Sequence, residues 1–118
     1  MNVSKGDVPV DLRQLRNLTD GDSDLERKLL GLFVEQSQLC ITSLKQHIHQ
    51  GEEEEWKMQS HKFKGSAANI GALQLKKLCE HAEHNYTLSQ DMKNTLLLAI
   101  EDEFEAVKTY LEEQLFPD

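Results

Sequence analysis

Residues 52–72, EEEEWKMQSHKFKGSAANIGA, form the stretch of sequence that decides the fold. Each residue turns an α-helix by about 100°, so apolar residues three, four or seven positions apart share one face. Four residues meet this spacing: Trp56, Phe63, Ala67 and Ile70. The glutamates suit the positive end of a helix dipole, and Gly71 offers a natural end. The stretch therefore predicts an amphipathic helix with one buried face.

The segment before it has the same periodicity and predicts a second long helix. It starts near Ser23, where Ser23 and Glu26 have the spacing of a capping box, and Gly51 offers an end. Its predicted buried stripe comprises Leu25, Leu29, Leu32, Phe33, Leu39, Cys40, Leu44 and Ile48.

Two further helices are predicted after residue 72. The third segment places Leu75, Leu78, Cys79 and Ala82 on one stripe, and residues 85–89 supply polar turn and capping residues. The fourth begins after Ser89 and ends at Pro117. Its stripe comprises Met92, Leu96, Ile100, Phe104, Val107, Leu111 and Leu115.

No segment shows sustained strand-like alternation, so the pattern predicts an all-α fold, an antiparallel four-helix bundle with a short additional N-terminal helix around Asp11 to Arg16. At 118 residues the chain has the length of one domain. We therefore expect residues 1–118 to form a single bundle whose core spans about residues 8–115. All four stripes are used by that core, which predicts a monomer.

Charge and composition argue against two classes of binding partner, nucleic acids and membranes. Thirteen Lys and Arg residues against 21 Asp and Glu residues give a formal net charge of -8. A field of that sign repels nucleic acid and anionic lipid surfaces. No stretch approaches the ~20 apolar residues that span a bilayer. We therefore expect a cytoplasmic protein that binds neither nucleic acid nor membranes.

His61 stands out because it lies off the buried stripe of its own helix. The two-residue step from His61 to Phe63 rotates the helix by about 200°, so His61 is predicted to face solvent. Lys64 and Gly65, three and four positions on, share its face. A neutral imidazole is a competent nucleophile towards a phosphoryl group, and an ammonium beside it stabilises anionic oxygens. Gly65 removes a side chain beside the ring, at about 1 kcal/mol of helix stability relative to Ala.

Five more residues of this helix are predicted to meet a partner. Ala68 and Asn69 extend the His61 face by one turn, Lys57 and Met58 lie one turn before it, and Lys62 adds positive charge at the rim.

Together these residues resemble the signature of the histidine-containing phosphotransfer (HPt) family, H-x-[LF]-K-G-[SA] with a second glycine six residues after the first. Residues 61–66, HKFKGS, and Gly71 match it position by position, with Phe63 where leucine is commoner. Residue pairs outside the motif, such as Asp11-Leu12 and Gly21-Asp22, also resemble the framework of this family. The resemblance covers about residues 8–115.

The resemblance implies a phosphorelay intermediate of two-component signal transduction. His61 would accept a phosphoryl group from a phospho-aspartate of one receiver domain and pass it to an aspartate of another, with Lys64 as charge partner. The receivers would belong to response regulators or hybrid sensor kinases. No cofactor is expected on this chain, because the Mg²⁺ needed for transfer belongs to the receiver. The chain contains no G-x-x-x-x-G-K-[ST] phosphate loop, so ATP-dependent kinase activity is not expected.

Other functions have less support from the sequence. An interaction module that binds receivers without phosphorylation would not need both His61 and Lys64. His81 and His84 beside Cys79 could approach a metal, but further ligands are missing, so no metal site is expected. A metal-dependent hydrolase would need a concave site that a small bundle does not obviously provide.

Cys40 and Cys79 are expected to be reduced core residues, or to form a disulfide if their helices face each other.

Overall fold

A computed structural model describes residues 8–115, with side chains up to Gln114, and contains five α-helices in that range. They are α1 (Arg13–Thr19), α2 (Ser23–Gln46), α3 (Glu53–Ile70), α4 (Leu73–His84) and α5 (Gln90–Leu115). Residues 8–115 contain no strand. The all-α class with a short N-terminal helix, predicted from the sequence, is confirmed.

Helices α2 to α5 form the bundle. α2 and α4 each pack against both α3 and α5, and α1 lies across α2 and α3. Residues 47–52, 71–72 and 85–89 connect the four long helices in turn. Because such short connections join packed neighbours, successive helices run antiparallel. The two-residue connection between α3 and α4 holds these two helices in a close hairpin.

The buried face of α3 lies at the centre of the core. Trp56, Phe63 and Ala67 are completely buried, as the helical spacing predicts. The indole Nε1 of Trp56 donates a hydrogen bond to the carbonyl oxygen of Ala82, 3.0 Å away, which satisfies the buried N–H and ties α3 to α4. Burying an indole and a phenyl ring from one helix fixes its rotation, and with it the direction in which the opposite face points.

Gly71 ends α3 in a left-handed conformation with φ of 81°. Its carbonyl oxygen accepts a hydrogen bond of 2.9 Å from the backbone N–H of Asp11. A Cβ atom at Gly71 would overlap the carbonyl oxygen of Asp11. The glycine therefore ends the helix and also makes room for the segment that leads into α1.

The first long helix differs from its prediction at both ends. The N-cap is Asp22, whose side chain accepts from the backbone N–H of Leu25 at 3.1 Å, so the predicted Ser23–Glu26 capping box is wrong. Glu26 is instead buried, and its Oε2 accepts from the Thr19 hydroxyl at 2.9 Å. The helix ends at Gln46 and not at Gly51, although Ile48 beyond its end is buried as predicted.

Three leucines of α2 that were predicted to be buried are exposed. Leu25, Leu32 and Leu39 recur every seven residues and lie at one edge of the apolar stripe, outside the part that α3 and α5 cover. On α5, Met92 is exposed too, while Lys93 beside it is buried with its ammonium 5.1 Å from the centre of the Trp56 ring. The predicted stripes were wrong at these positions because periodicity locates a face but not its edges.

The remaining predictions at the ends of the chain are settled in part. α1 covers Arg13–Thr19, so it begins two residues and ends three residues later than the predicted Asp11 to Arg16. The predicted helix end at Pro117 and the side chain of Leu115 lie outside the described residues.

Cys40 and Cys79 are buried free thiols, and burial raises the pKa of both. None of the five described helices combines the length and the apolar composition that a transmembrane span requires.

Candidate phosphotransfer site

His61 lies in the middle of α3, on the face opposite Phe63. Its side chain is 66% exposed, whereas Phe63 is completely buried, so the predicted exposure of His61 is confirmed. The rotation of α3 that the core imposes is therefore what presents the imidazole to solvent. Its Nε2 has no hydrogen-bond partner among residues 8–115.

Glu83 of α4 joins His61 to Lys64. Its Oε2 lies 2.8 Å from Nδ1 of His61, and its Oε1 lies 2.7 Å from Nζ of Lys64. Exposure falls from His61 to Lys64, at 21%, and to Glu83, at 13%. The carboxylate thus sits beneath the two other side chains, in the contact between α3 and α4, and keeps them on one surface.

The charges of Glu83 and Lys64 stabilise each other. The Lys64 ammonium holds the pKa of the Glu83 carboxyl below its ordinary value, and the hydrogen bond to His61 lowers it further, against the opposing effect of partial burial. Glu83 in turn raises the pKa of Lys64. Both groups are therefore ionised at neutral pH, and the imidazole lies beside a fixed anion and a fixed cation.

Gly65 lies beside this group on the exposed side of α3. A Cβ atom added there would have no heavy atom within 4 Å, apart from the backbone of its own helix. Packing within this chain therefore does not require a glycine at this position, in contrast with Gly71. A glycine in the middle of a helix, where alanine would be more stable and would fit, points to a requirement outside the folded chain itself.

The five other predicted contact residues flank His61 on two sides. The Lys57 ammonium stacks 4.7 Å from the centre of the Tyr86 ring on the α4 side. Met58 is 57% exposed, Lys62 and Asn69 are exposed, and Ala68 is half-buried. Of all the predicted site residues, only His61 and Lys64 are linked by a shared partner. Whether the five flanking residues bind a partner stays a prediction.

A shallow apolar groove of about 420 Å³ runs along the side of α3 away from Glu83, between α1, α2 and α3. Ser66 and Asn69 of α3 line it, and Leu18 and Leu32, both more than half exposed, form its rim. This groove was not predicted from the sequence, because Leu32 was assigned to the core and Leu18 was assigned to no surface.

Glu83 was also missed, although the sequence carries a signal for it. In an antiparallel hairpin, residues at similar distances from the connection face each other. His61 precedes Gly71 by ten residues, and Glu83 follows Ala72 by eleven, so the two lie at the same level of α3 and α4. Using this signal requires the length of the connection, which the sequence pattern did not fix.

The possible metal ligands on α4, Cys79, His81 and His84, do not form a cluster in the described residues. Residues 8–115 hold no group of three or more His, Cys, Asp or Glu side chains placed to bind one metal ion. Cys79 is completely buried, whereas His81 and His84 are exposed, so these three side chains lie on different faces of α4. His81 is engaged with Asn85, whose side-chain nitrogen lies 3.3 Å from Nδ1 of His81.

Comparison with known proteins agrees with this geometry. The family model described as "Hpt domain" matches residues 28–113. Among solved structures, the chain is similar to histidine-containing phosphotransfer protein B (HptB) from Pseudomonas aeruginosa PAO1, with 25% sequence identity and a TM-score of 0.81. That similarity covers 93% of this chain and 96% of the other. No curated protein sequence matched the chain.

Proposed function

Since this chain belongs to the histidine-containing phosphotransfer family, whose members are phosphocarriers of two-component signalling, we propose that His61 is its phosphorylated residue. In this proposal His61 accepts a phosphoryl group from a phospho-aspartate of one receiver domain and passes it to an aspartate of another. The observation that carries the proposal is the exposed imidazole with an unpartnered Nε2, held beside a lysine.

The surroundings of His61 suit this chemistry. A phosphoryl group that approaches Nε2 brings negative charge, and Lys64 lies on the same surface to stabilise it. The site is open, so the imidazole can reach into the acidic pocket of a receiver, where the Mg²⁺ of the reaction would be bound. The chain itself needs no cofactor and no ATP in this mechanism.

The apolar groove supports a receiver as the partner. It adjoins the His61 face through Ser66 and Asn69, and the exposed leucines at its rim offer a surface that a partner helix can cover. Lys57, Met58, Lys62 and Ala68 surround the imidazole and complete the proposed docking surface. Its positive charges lie on an otherwise acidic molecule, which favours approach of a negatively charged receiver pocket.

Phosphorylation of the protein with phosphoramidate tests the proposal directly. We expect one acid-labile phosphoryl group on His61, lost within minutes when a receiver domain and Mg²⁺ are added, and amide shift changes along the groove when the receiver binds. A label elsewhere on the chain would contradict the assignment. Receiver binding with an unlabelled His61 would instead support the interaction module, the alternative weighed from the sequence.

Lys64→Ala is expected to slow transfer to a receiver by roughly 10- to 100-fold, because one charged contact to the phosphoryl oxygens is lost. It should also shorten the lifetime of the phosphohistidine. Rapid-quench kinetics with the labelled protein measure both. Lys77→Ala, at an exposed lysine of α4, is the control for the loss of one positive charge. Equal rates in the two variants would remove Lys64 from the mechanism.

Gly65→Ala is expected to separate stability from function. An alanine fits at this position and favours the helix, so the free energy of unfolding should rise by up to about 1 kcal/mol. Transfer to a receiver should nevertheless slow, because the added methyl group stands where the receiver approaches the ring. Gly31→Ala is the matched control, since it is also an exposed helical glycine with open space around its Cβ position. An unchanged transfer rate in Gly65→Ala would remove Gly65 from the docking surface.

A further inference from the structure

A second and larger cavity lies at one end of the bundle. Its volume is about 780 Å³, and it is bounded by the chain before α1, by α1, by the start of α4 and by the end of α5. Gly71, which lines it, follows His61 by ten residues, so the cavity begins about 15 Å from His61 along α3. The described residues that line it are all different from those that line the groove beside His61. The cavity is therefore separate from the proposed phosphotransfer site.

Unpaired positive charge distinguishes this cavity. Arg13 and Arg16 of α1 and Lys77 of α4 line it, and Asp11 is the one acidic residue among the described lining residues. The Arg13 side chain donates hydrogen bonds of 3.0 and 2.7 Å to the two oxygens of Asp11 and lowers the pKa of that carboxyl to about 2. Arg16 and Lys77 form no ion pair with any described residue. A chain in which acidic residues outnumber basic ones therefore leaves two positive charges unpaired in one cavity.

The other lining side chains suit a peptide. Val8 and Leu73 are 41% and 53% exposed, so they offer apolar surface that a partner can cover. The amides of Gln74 and Gln114 also line the cavity and make no side-chain hydrogen bond within residues 8–115, so they are free to bind polar groups of a ligand. The cavity thus combines cationic, apolar and amide groups.

We propose that this cavity is a docking site for an acidic segment of a partner protein, in which an apolar side chain lies next to the carboxylates. The carboxylates bind Arg16 and Lys77, and the apolar side chain packs on Val8 and Leu73. The inference goes beyond the proposed function and does not depend on phosphorylation of His61. Since the two linings share no described residue, such a segment can stay bound while a receiver occupies the groove beside His61.

Other anionic occupants fit this cavity less well. Charges act over about 8 Å at physiological ionic strength, so a short acidic segment is attracted by the two unpaired cations. Nucleic acid and an anionic membrane extend much further and meet the surface of a chain with a net charge of -8. A small anion would keep most of its surface in water, because Arg16, Leu73 and Lys77 are exposed, whereas small-molecule sites bury most of the ligand.

An end-blocked synthetic peptide of glutamates and leucines is the probe for this site. Added to the ¹⁵N-labelled, unphosphorylated protein, it should shift the amide signals of residues 8–16, 71–77 and 110–114 and leave those of His61 and Lys64 in place. The affinity should fall as sodium chloride is added, because salt screens the charge pairs. A peptide with lysines in place of the glutamates should not bind. Shifts centred elsewhere, or equal binding of the lysine peptide, would overturn the inference.

A charge-matched pair of double variants completes the test. Arg16→Gln with Lys77→Gln should weaken binding of the glutamate peptide roughly 10-fold, the effect of losing two exposed charge pairs. Lys28→Gln with Lys108→Gln removes the same charge outside the cavity and should bind like the wild type. Equal affinities of the two double variants would overturn the proposed site. Inorganic phosphate that binds the cavity as tightly as the peptide would overturn the proposed occupant, since it would assign the cavity to a small anion.

Discussion

His61→Gln should lose phosphorylation completely while the bundle stays folded. A glutamine amide has no lone pair nucleophilic enough to attack phosphorus, and no other histidine among the described residues forms a hydrogen bond with Glu83. The side chain of His61 is 66% exposed, so its replacement removes little buried surface, and the expected change in the free energy of unfolding is within about 0.5 kcal/mol. Phosphoramidate labelling followed by mass spectrometry measures the first effect, and urea denaturation measures the second.

His84→Gln is the matched control for this variant. His84 is an exposed histidine on α4, and the same substitution there should leave labelling and stability unchanged. Receiver binding should survive in His61→Gln, since the groove and the flanking residues remain in place. A His61→Gln protein that still carries a transferable phosphoryl group would end the assignment of His61, whatever its stability.

The face of α3 that carries His61 could be predicted because two independent patterns agree on it. The apolar spacing of Trp56, Phe63 and Ala67 fixes which side of α3 is buried, and the polar residues of the motif then fall on the other side. Such an inference needs only the geometry of one helix. The sequence pattern therefore located His61, Lys64 and Gly65 on one exposed surface before any packing was known.

The partners of that surface could not be predicted in the same way. The positions of Glu83 and of the groove leucines relative to His61 depend on how α4, α2 and α1 pack against α3, which is a property of helix pairs. An apolar stripe on a long helix is wider than the surface its neighbours cover, so Leu32 and Leu39 could be assigned to the core in error. Lys93 shows the opposite situation, a charged residue outside the predicted stripe that is buried. The face of the Trp56 ring lies against its ammonium and stabilises it.

The largest loss of stability is expected from Gly71→Ala. The left-handed backbone at this position strains any side chain by about 1 kcal/mol or more, and the new Cβ would also overlap the Asp11 carbonyl oxygen. Relieving the overlap requires the segment before α1 to move, which breaks the hydrogen bond from Asp11 N–H to the Gly71 carbonyl. Together these effects should lower the free energy of unfolding by about 2–5 kcal/mol, a large part of the stability of a domain this size.

Gly51→Ala separates the effect of backbone strain from the effect of the overlap with Asp11. Gly51 also has a left-handed backbone, with φ of 96°, but a Cβ there would meet no heavy atom within 4 Å. Its variant should therefore show the backbone strain alone, and the difference between the two urea midpoints should report the contact with Asp11. Equal losses would mean that the N-terminal segment moves aside freely. A larger loss in Gly71→Ala would instead make Gly71, the last glycine of the phosphotransfer motif, a structural residue that fixes the chain before α1 against the end of α3, apart from the chemistry at His61.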